Sequence, residues 1–124
     1  MDKKIIRIPT SLDDFFKCWL IFLLPLHNLT NREIEVAASF YKKRYELSKN
    51  IINDDALLDS ITLNEQSRKE IRLKCKLSPT HFQVIMSKLR KVRLIENNRF
   101  NLKFLPCIEK DKDQVQLMIL FDVS

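Results

Sequence analysis

The residues best suited to covalent or metal chemistry are few and far apart. Cys18, Cys75 and Cys107 are the three cysteines, and His27 and His81 the two histidines, of the 124-residue chain. The odd number and wide spacing of the cysteines suit neither a disulfide framework nor a Cys-x-x-Cys zinc pair. They read as reduced, partly buried small hydrophobes. Cys75, His81 and Cys107 could meet only through the fold, and their spacing is not a usual ligand pattern. A catalytic histidine needs a nucleophile or an orienting carboxylate within reach. No pattern supplies one for His81, which reads as part of a helix start or as solvent-facing. Asp13-Asp14 and Asp54-Asp55 are neighbouring carboxylates, but neighbours on a helix face different ways, so they read as caps. Glycine is absent altogether. That excludes a Walker A loop, a GxGxxG fingerprint and a glycine-flanked nucleophile elbow, all of which need backbone without a Cβ. The expectation is a protein that is not an enzyme, with no cofactor, no metal and no small-molecule substrate.

The positive charge has an address. The formal net charge is +6, yet residues 1–67 and 104–124 are both slightly acidic. Residues 68–103 hold 11 Lys/Arg against only Glu70 and Glu96, a surplus of nine. A concentrated positive field favours a polyanion or an acidic protein surface. The bland alternative is a well-solvated surface in a Lys- and Asn-rich sequence.

At 45% hydrophobic and 31% charged, the chain has a globular composition and the length of one domain, 1–124. The longest apolar run, Cys18 to Leu26, covers nine residues and includes Pro25, too short for the roughly 20 that a membrane span needs. The start places Asp13 and Asp14 where a signal peptide would continue apolar. The expected location is therefore intracellular, either host cytoplasm or a particle such as a virion, with no membrane partner.

The elements that must carry the basic window follow from caps and periodicity. Within 1–28, Lys4–Ile8 reads as a short strand, and Thr10 and Ser11 offer caps to a helix over 12–24. That helix is apolar nearly all round, and Pro25 marks its end. Within 29–66, Thr30–Glu33 (TNRE) is a capping box, followed by an amphipathic stripe at Ile34, Ala37, Ala38, Tyr41 and Tyr45. Ser48–Asn64 reads as a connector with a turn or two of helix at Asp55–Ile61. Within 67–92, Ser67–Glu70 (SRKE) reads as a third capping box opening a helix to about Cys75. Ser78-Pro79 then starts a helix over 79–92 that buries Phe82, Ile85 or Met86, Leu89 and Val92. Two helices joined by so short a turn are a helix-turn-helix. Within 93–124, Asn97-Asn98 is a hairpin turn, and Arg99–Phe104 alternates as a half-buried strand. A polar loop at 109–113 leads to a last strand at Val115–Val123. The expected fold class is α+β, mainly α: a winged helix-turn-helix with an added N-terminal helix and a C-terminal strand.

Two resemblances accompany this reading. Leu29–Val36 (LTNREIEV) resembles the opening of the LuxR-type helix-turn-helix, LTxRExEV. Ser67–Leu89 is similar to that family's continuation at Ser67, Lys69, Glu70, Ile71, Leu77, Ser78 and Leu89. The stretch between the two blocks is several times longer than the family's, and the family's Thr and Val stand here as His81 and Phe82. The order WLIFLLPLHNLTNREIEVA, KKRYELSK, SPTHFQVIMSKLRKVRLI and NNRFNLKF also resembles small winged-helix proteins of tailed bacteriophages, crAss-like phages among them. That resemblance implies either a DNA-binding protein or a virion part.

In a helix-turn-helix the second helix lies in the major groove and its N-terminal residues meet base edges. With its apolar side inward, helix 79–92 turns Thr80, His81, Gln83, Val84, Ser87 and Lys88 outward. Gln83 suits the paired hydrogen bonds of adenine, and Val84 a thymine methyl. Thr80, Ser87, Lys88 and Lys91 suit phosphate. So do Arg68 and Lys69 at the preceding helix start, and Arg99 and Lys103 on the wing. For each, the bland alternative is an ordinary solvated face, and Arg90 and Arg93 are read that way. The expected partner is double-stranded DNA. The alternative is a structural or auxiliary virion protein, packed in a head or portal vertex against other virion proteins through Phe15, Phe16, Trp19 and Phe22 of the apolar first helix.

Overall fold

The computed structural model describes residues 3–50, 54–109 and 113–123. Six helices and one two-stranded antiparallel sheet follow in chain order among them: α1 (Leu12–Phe22), α2 (Leu24–His27), α3 (Asn31–Asn50), α4 (Asp55–Thr62), α5 (Glu65–Lys74), α6 (Pro79–Lys91), β1 (Ile95–Glu96) and β2 (Arg99–Phe100). The architecture is α+β and mainly helical.

The chain is organised around α3. Its first turn is closed by the expected capping box: Thr30 Oγ1 accepts from Glu33 N at 3.3 Å, and Thr30 N donates to Glu33 Oε1 at 2.8 Å. Helices α1, α4, α5 and α6 all contact α3, so its buried arc is wider than one stripe. Ile34, Ala37 and Tyr41 are buried as the periodicity predicts. Val36 and Phe40, outside the predicted stripe, are buried completely, while Ala38 and Tyr45 are only half-buried. The Phe40 ring stands 6.3 Å from Phe82 of α6 and 6.4 Å from Phe100 of β2, and Tyr41 meets Phe100 edge-on at 5.8 Å. Offset and edge contacts of this kind add stability beyond the area that they bury.

Helix α1 starts at the Ser11 cap, which accepts from Asp14 N at 3.2 Å, and stops earlier than expected, at Phe22. The stop is built by His27. Leu29 N donates to His27 Nδ1 at 2.9 Å, so the ring proton sits on Nε2, which donates to the Leu20 carbonyl at 2.8 Å. The histidine is buried, and it gives the Leu20 carbonyl, which already accepts from Leu23 N at 3.1 Å, a second partner at the end of α1. Pro25 is tolerated in the first turn of α2, where an amide hydrogen has no helical partner.

Neither terminal strand expected from the β-prone runs is present among the described residues. Residues 4–8 and 115–123 belong to no helix or strand, and most of their apolar side chains are exposed. Composition gave them strand character, but a strand forms only against a neighbour with matching length. The strand expected at Arg99–Phe104 shrinks to Arg99–Phe100. The Asn101 side chain accepts from Lys103 N at 3.1 Å and Phe104 N donates to the Asn101 carbonyl at 3.1 Å, turning the chain and leaving Leu102 exposed. An asparagine that bonds its own backbone competes with the ladder. The connector expected at 48–64 resolves into the end of α3 and an α4 capped by Asp54; residues 51–53 of it, and 110–112 of the expected polar loop, lie outside the described residues.

A chain without glycine must turn on other residues. Asn28, Lys76, Arg93, Asn97 and Asn98 all take positive φ. For Arg93, just past α6 at φ 66°, a left-handed backbone costs about 1–2 kcal/mol. Arg93→Gly is therefore expected to raise stability by about 0.5–1 kcal/mol, the relief being partly offset by the greater freedom of glycine in the unfolded chain. The denaturant midpoint of the variant measures this; a lowered midpoint would mean that the Arg93 side chain is worth more to the fold than its strain.

Candidate nucleic-acid interface

The basic window begins with α5, and its start differs from the sequence expectation. Asn64, not Ser67, is the cap: its side chain accepts from Ser67 N at 2.8 Å. Ser67 is buried instead, and its hydroxyl donates to the Ile61 carbonyl at 2.8 Å. Asn64 has the same capping chemistry three residues earlier, and it wins because Ser67 is needed against α4. Arg68 and Lys69 consequently sit one turn into α5 and not at its first residues. Arg68 is half-buried and Lys69 exposed.

The connection between α5 and α6 is fixed on both sides. Leu77 N donates to the Arg72 carbonyl and Lys76 N to the Leu73 carbonyl, both at 3.1 Å, with Lys76 left-handed and Leu77 buried. This is the double-bonded Schellman ending with its apolar contact. The Arg72 guanidinium also donates to the Leu77 carbonyl at 3.2 Å. Ser78 then caps α6 through His81 N at 3.1 Å, with Pro79 behind it as expected.

Helix α6 buries Phe82, Ile85, Met86 and Leu89. Thr80, His81, Gln83, Val84, Ser87 and Lys91 are exposed and Lys88 half-buried, as the spacing predicts. Thr80, Gln83, Val84, Ser87 and Lys91 follow one another at helical spacing along one face. Val84 is 61% exposed, a branched apolar side chain outside the hydrophobic core.

The hairpin after α6 is short. Ile95 pairs with Phe100 and Glu96 with Arg99, and the Asn97-Asn98 turn has φ of 52° and 57°, the mirror-image turn that a right-twisted hairpin favours. A group that sequence reading missed anchors it. Asp59 of α4 is 1% exposed, yet ionisable; Arg44 Nε donates to its Oδ1 at 2.7 Å, and Arg99 Nε and Phe100 N both approach its Oδ2 at 3.3 Å. Arg44 reaches Asp55 as well, at 3.2 Å. Arg99 thus shares its guanidinium with a carboxylate inside the protein, while half of its side chain stays exposed on the wing. Lys103 lies on the turn after β2, not on a strand, with its ammonium 6.0 Å from the Phe104 ring.

Ion pairs engage some of the cations and leave others open. On α3, Lys42 pairs with Asp13 at 2.6 Å and Lys43 with Glu70. Lys42 holds the Asp13 carboxyl below its ordinary value, and Lys43, with Gln66, does the same for Glu70. No ion pair among the described residues engages Arg68, Lys69, Lys88 or Lys91. Lys3, Lys4, Arg7, Lys17 and Lys49 also lack an ion pair among the described residues, but on α5 and α6 the unpaired cations lie close together in the sequence and few acidic residues accompany them.

The partner surface expected on α1 is smaller than the sequence implies. Phe16 is buried in the core and cannot dock anything. Phe15 and Trp19 are half-buried against that core, and Trp19 Nε1 donates to the Phe104 carbonyl at 2.9 Å. The chain's own later residues cover this side of the helix. Phe22 is exposed, beside Ile21, Leu24 and Leu26. Among the described residues no group of three or more His, Cys, Asp or Glu is placed to hold a metal, and no helix is long and apolar enough to cross a membrane. Comparison of the chain with protein-family models, curated proteins and solved structures finds no significant match.

Two outcomes follow from the charges. Asp59→Ala strands the Arg44 guanidinium, only 11% exposed, without its buried partner, and a broken buried pair costs about 3–5 kcal/mol; denaturant unfolding reads the loss, and an unchanged midpoint would remove Asp59 as the anchor. The depressed carboxyls make the Lys42–Asp13 and Lys43–Glu70 pairs stabilising above the ordinary values of 3.8 and 4.5. That contribution disappears as pH falls through the lower folded values. Glu70→Gln should lower the neutral side of the curve of Tm against pH slightly and leave its acid end unmoved, so that the acid slope flattens.

Proposed function

We propose that this chain is a non-enzymatic DNA-binding protein of the winged helix-turn-helix type, with α5 and α6 as the helix-turn-helix, α6 as the reader and the β1–β2 hairpin as the wing. The observation that carries this reading is the group of cations without ion pairs on α5 and α6, Arg68, Lys69, Lys88 and Lys91, next to an exposed face of α6 that lies outside the core. Thr80, Gln83, Val84 and Ser87 are all exposed along that face. In the major groove Gln83 pairs with an adenine edge and Val84 covers a thymine methyl, while Thr80, Ser87, Lys88 and Lys91 take phosphates. Arg68, Lys69 and Lys103 reach flanking backbone, and Arg99 does so only with the part of its guanidinium that Asp59 leaves open. The likeness to winged-helix proteins of tailed phages supports the same class and a phage origin.

A second reading has one observation in its favour. Ile21, Phe22, Leu24 and Leu26 form an exposed apolar edge on α1 and α2, which suits a packing module of a virion. The reader hypothesis is separated from it by fluorescence anisotropy with labelled duplex DNA. Lys88→Glu should weaken binding about tenfold and reduce the dependence of log K on log salt by about one or two, because it removes one phosphate partner and sets a carboxylate against the backbone instead. Its stability should stay within about 0.5 kcal/mol of the parent, as for most surface changes. Gln83→Ala should lower the preference between duplexes more than it lowers affinity for the poorer one. Unchanged binding in Lys88→Glu would remove α6 as the reader.

A further inference from the structure

The run Val115–Val123 (VQLMILFDV) is the largest apolar feature that the fold does not use. It belongs to no helix or strand; Met118, Leu120, Phe121 and Val123 are each at least three-quarters exposed. Strand alternation would divide it sharply. Val115, Leu117, Ile119, Phe121 and Val123 fall on one face, and Gln116, Met118, Leu120 and Asp122 on the other. A β-prone run with one wholly apolar face and both edges open is a template for another strand.

The sheet in this chain does not fit it. Strands β1 and β2 have two residues each, whereas nine residues in a strand run about 30 Å. Nucleic acid does not fit it either, because residues 113–123 carry Asp113 and Asp122 and no cation. What does fit is the same segment run in the opposite direction. An antiparallel pairing centred on Ile119 sets Val115 against Val123, Gln116 against Asp122, Leu117 against Phe121, Met118 against Leu120 and Ile119 against itself. Every apolar residue meets an apolar one. The Asp122 of each copy meets an amide that can donate to it, so no like charges face across the ladder.

We infer that a second copy of this chain covers the segment, through an antiparallel strand pair about a two-fold axis at Ile119. This is an isologous contact, closed at two copies. The pair would form one face from ten apolar side chains. That face needs cover, and the exposed residues Ile21, Phe22, Leu24 and Leu26 provide it from the rest of each fold. Upstream of the segment, the Phe104 carbonyl accepts from Trp19 of α1 and Ile108 packs against the core. This contact between copies is independent of what α6 binds.

Sedimentation equilibrium of the full chain tests it. The wild-type mass should be twice 14.8 kDa at tens of micromolar, and Ile119→Lys should halve it without changing the helical circular dichroism, because residue 119 belongs to no helix or strand of the fold. A second measurement fixes the register. In a chain carrying Cys107→Ser, Ile119→Cys should give a disulfide-linked dimer under mild oxidation. Val115→Cys alone should give none, and a mixture of Val115→Cys with Val123→Cys should give a heterodimer. A wild-type chain of single mass at every concentration would overturn the inference. So would a dimer that survives Ile119→Lys, a ladder of larger oligomers, or cross-links from Ile119→Cys to Ile6→Cys of the N-terminal segment and none between residues 119.

Discussion

One buried carboxylate holds the molecule in register. Asp59 reaches from α4 to Arg44 of α3 on one side and to Arg99 and the Phe100 amide of β2 on the other. Burying an ion costs several kcal/mol, and the cost is met only when its lone pairs are filled; here both oxygens are occupied. The hairpin has particular need of it. A ladder with two residues on each strand is not stable alone, so β1–β2 keeps its place through Asp59 and through the Phe100 ring between Phe40 and Tyr41. Because the hairpin follows α6 directly, the angle between the exposed face of α6 and the Asn97-Asn98 turn is set by a residue that lies in neither.

The absence of glycine shapes the rest. Helix ends that commonly use glycine here use Asn28, Lys76 and Arg93, and the hairpin uses two asparagines. Each end is compensated by bonds: the Schellman pair after α5, its equivalent after α6 from Arg93 N and Leu94 N, and His27 between α1 and α3. The connection between α5 and α6 therefore has little freedom. That rigidity suits a face presented to a partner of fixed shape, since groups held in place before binding lose less entropy on contact.

Local chemistry was legible in the sequence and long-range chemistry was not. The Thr30 and Ser78 caps, the Asn97-Asn98 turn and the inward set of α6 depend on residues a few positions apart, and the structure has them where periodicity and capping rules put them. Asn64 displaced Ser67 as a cap because the choice depended on what Ser67 could touch on α4. Val36 and Phe40 were missed because α3 is covered from two sides, which one-stripe periodicity does not anticipate. Asp59 looked like one polar residue in a weak connector, and only the fold brings two arginines to it. The two terminal runs read as strands because their composition is β-rich, but no described strand of one copy is long enough to pair with them. The outward residues of α6 were legible; their partner was not, because the same exposure serves a solvated face and a binding face alike.

Whether the outward face of α6 meets DNA can be read directly. Titration of ¹⁵N-labelled protein with duplex DNA, followed through backbone amide shifts, tests it residue by residue. A reader helix gives the largest changes between Thr80 and Lys88, with smaller ones at Arg68, Lys69 and the Asn97-Asn98 turn, and none along Ile21–Leu26. Changes centred on α1 and α2, or spread evenly over the lysines of the whole chain with α6 unmoved, would contradict it.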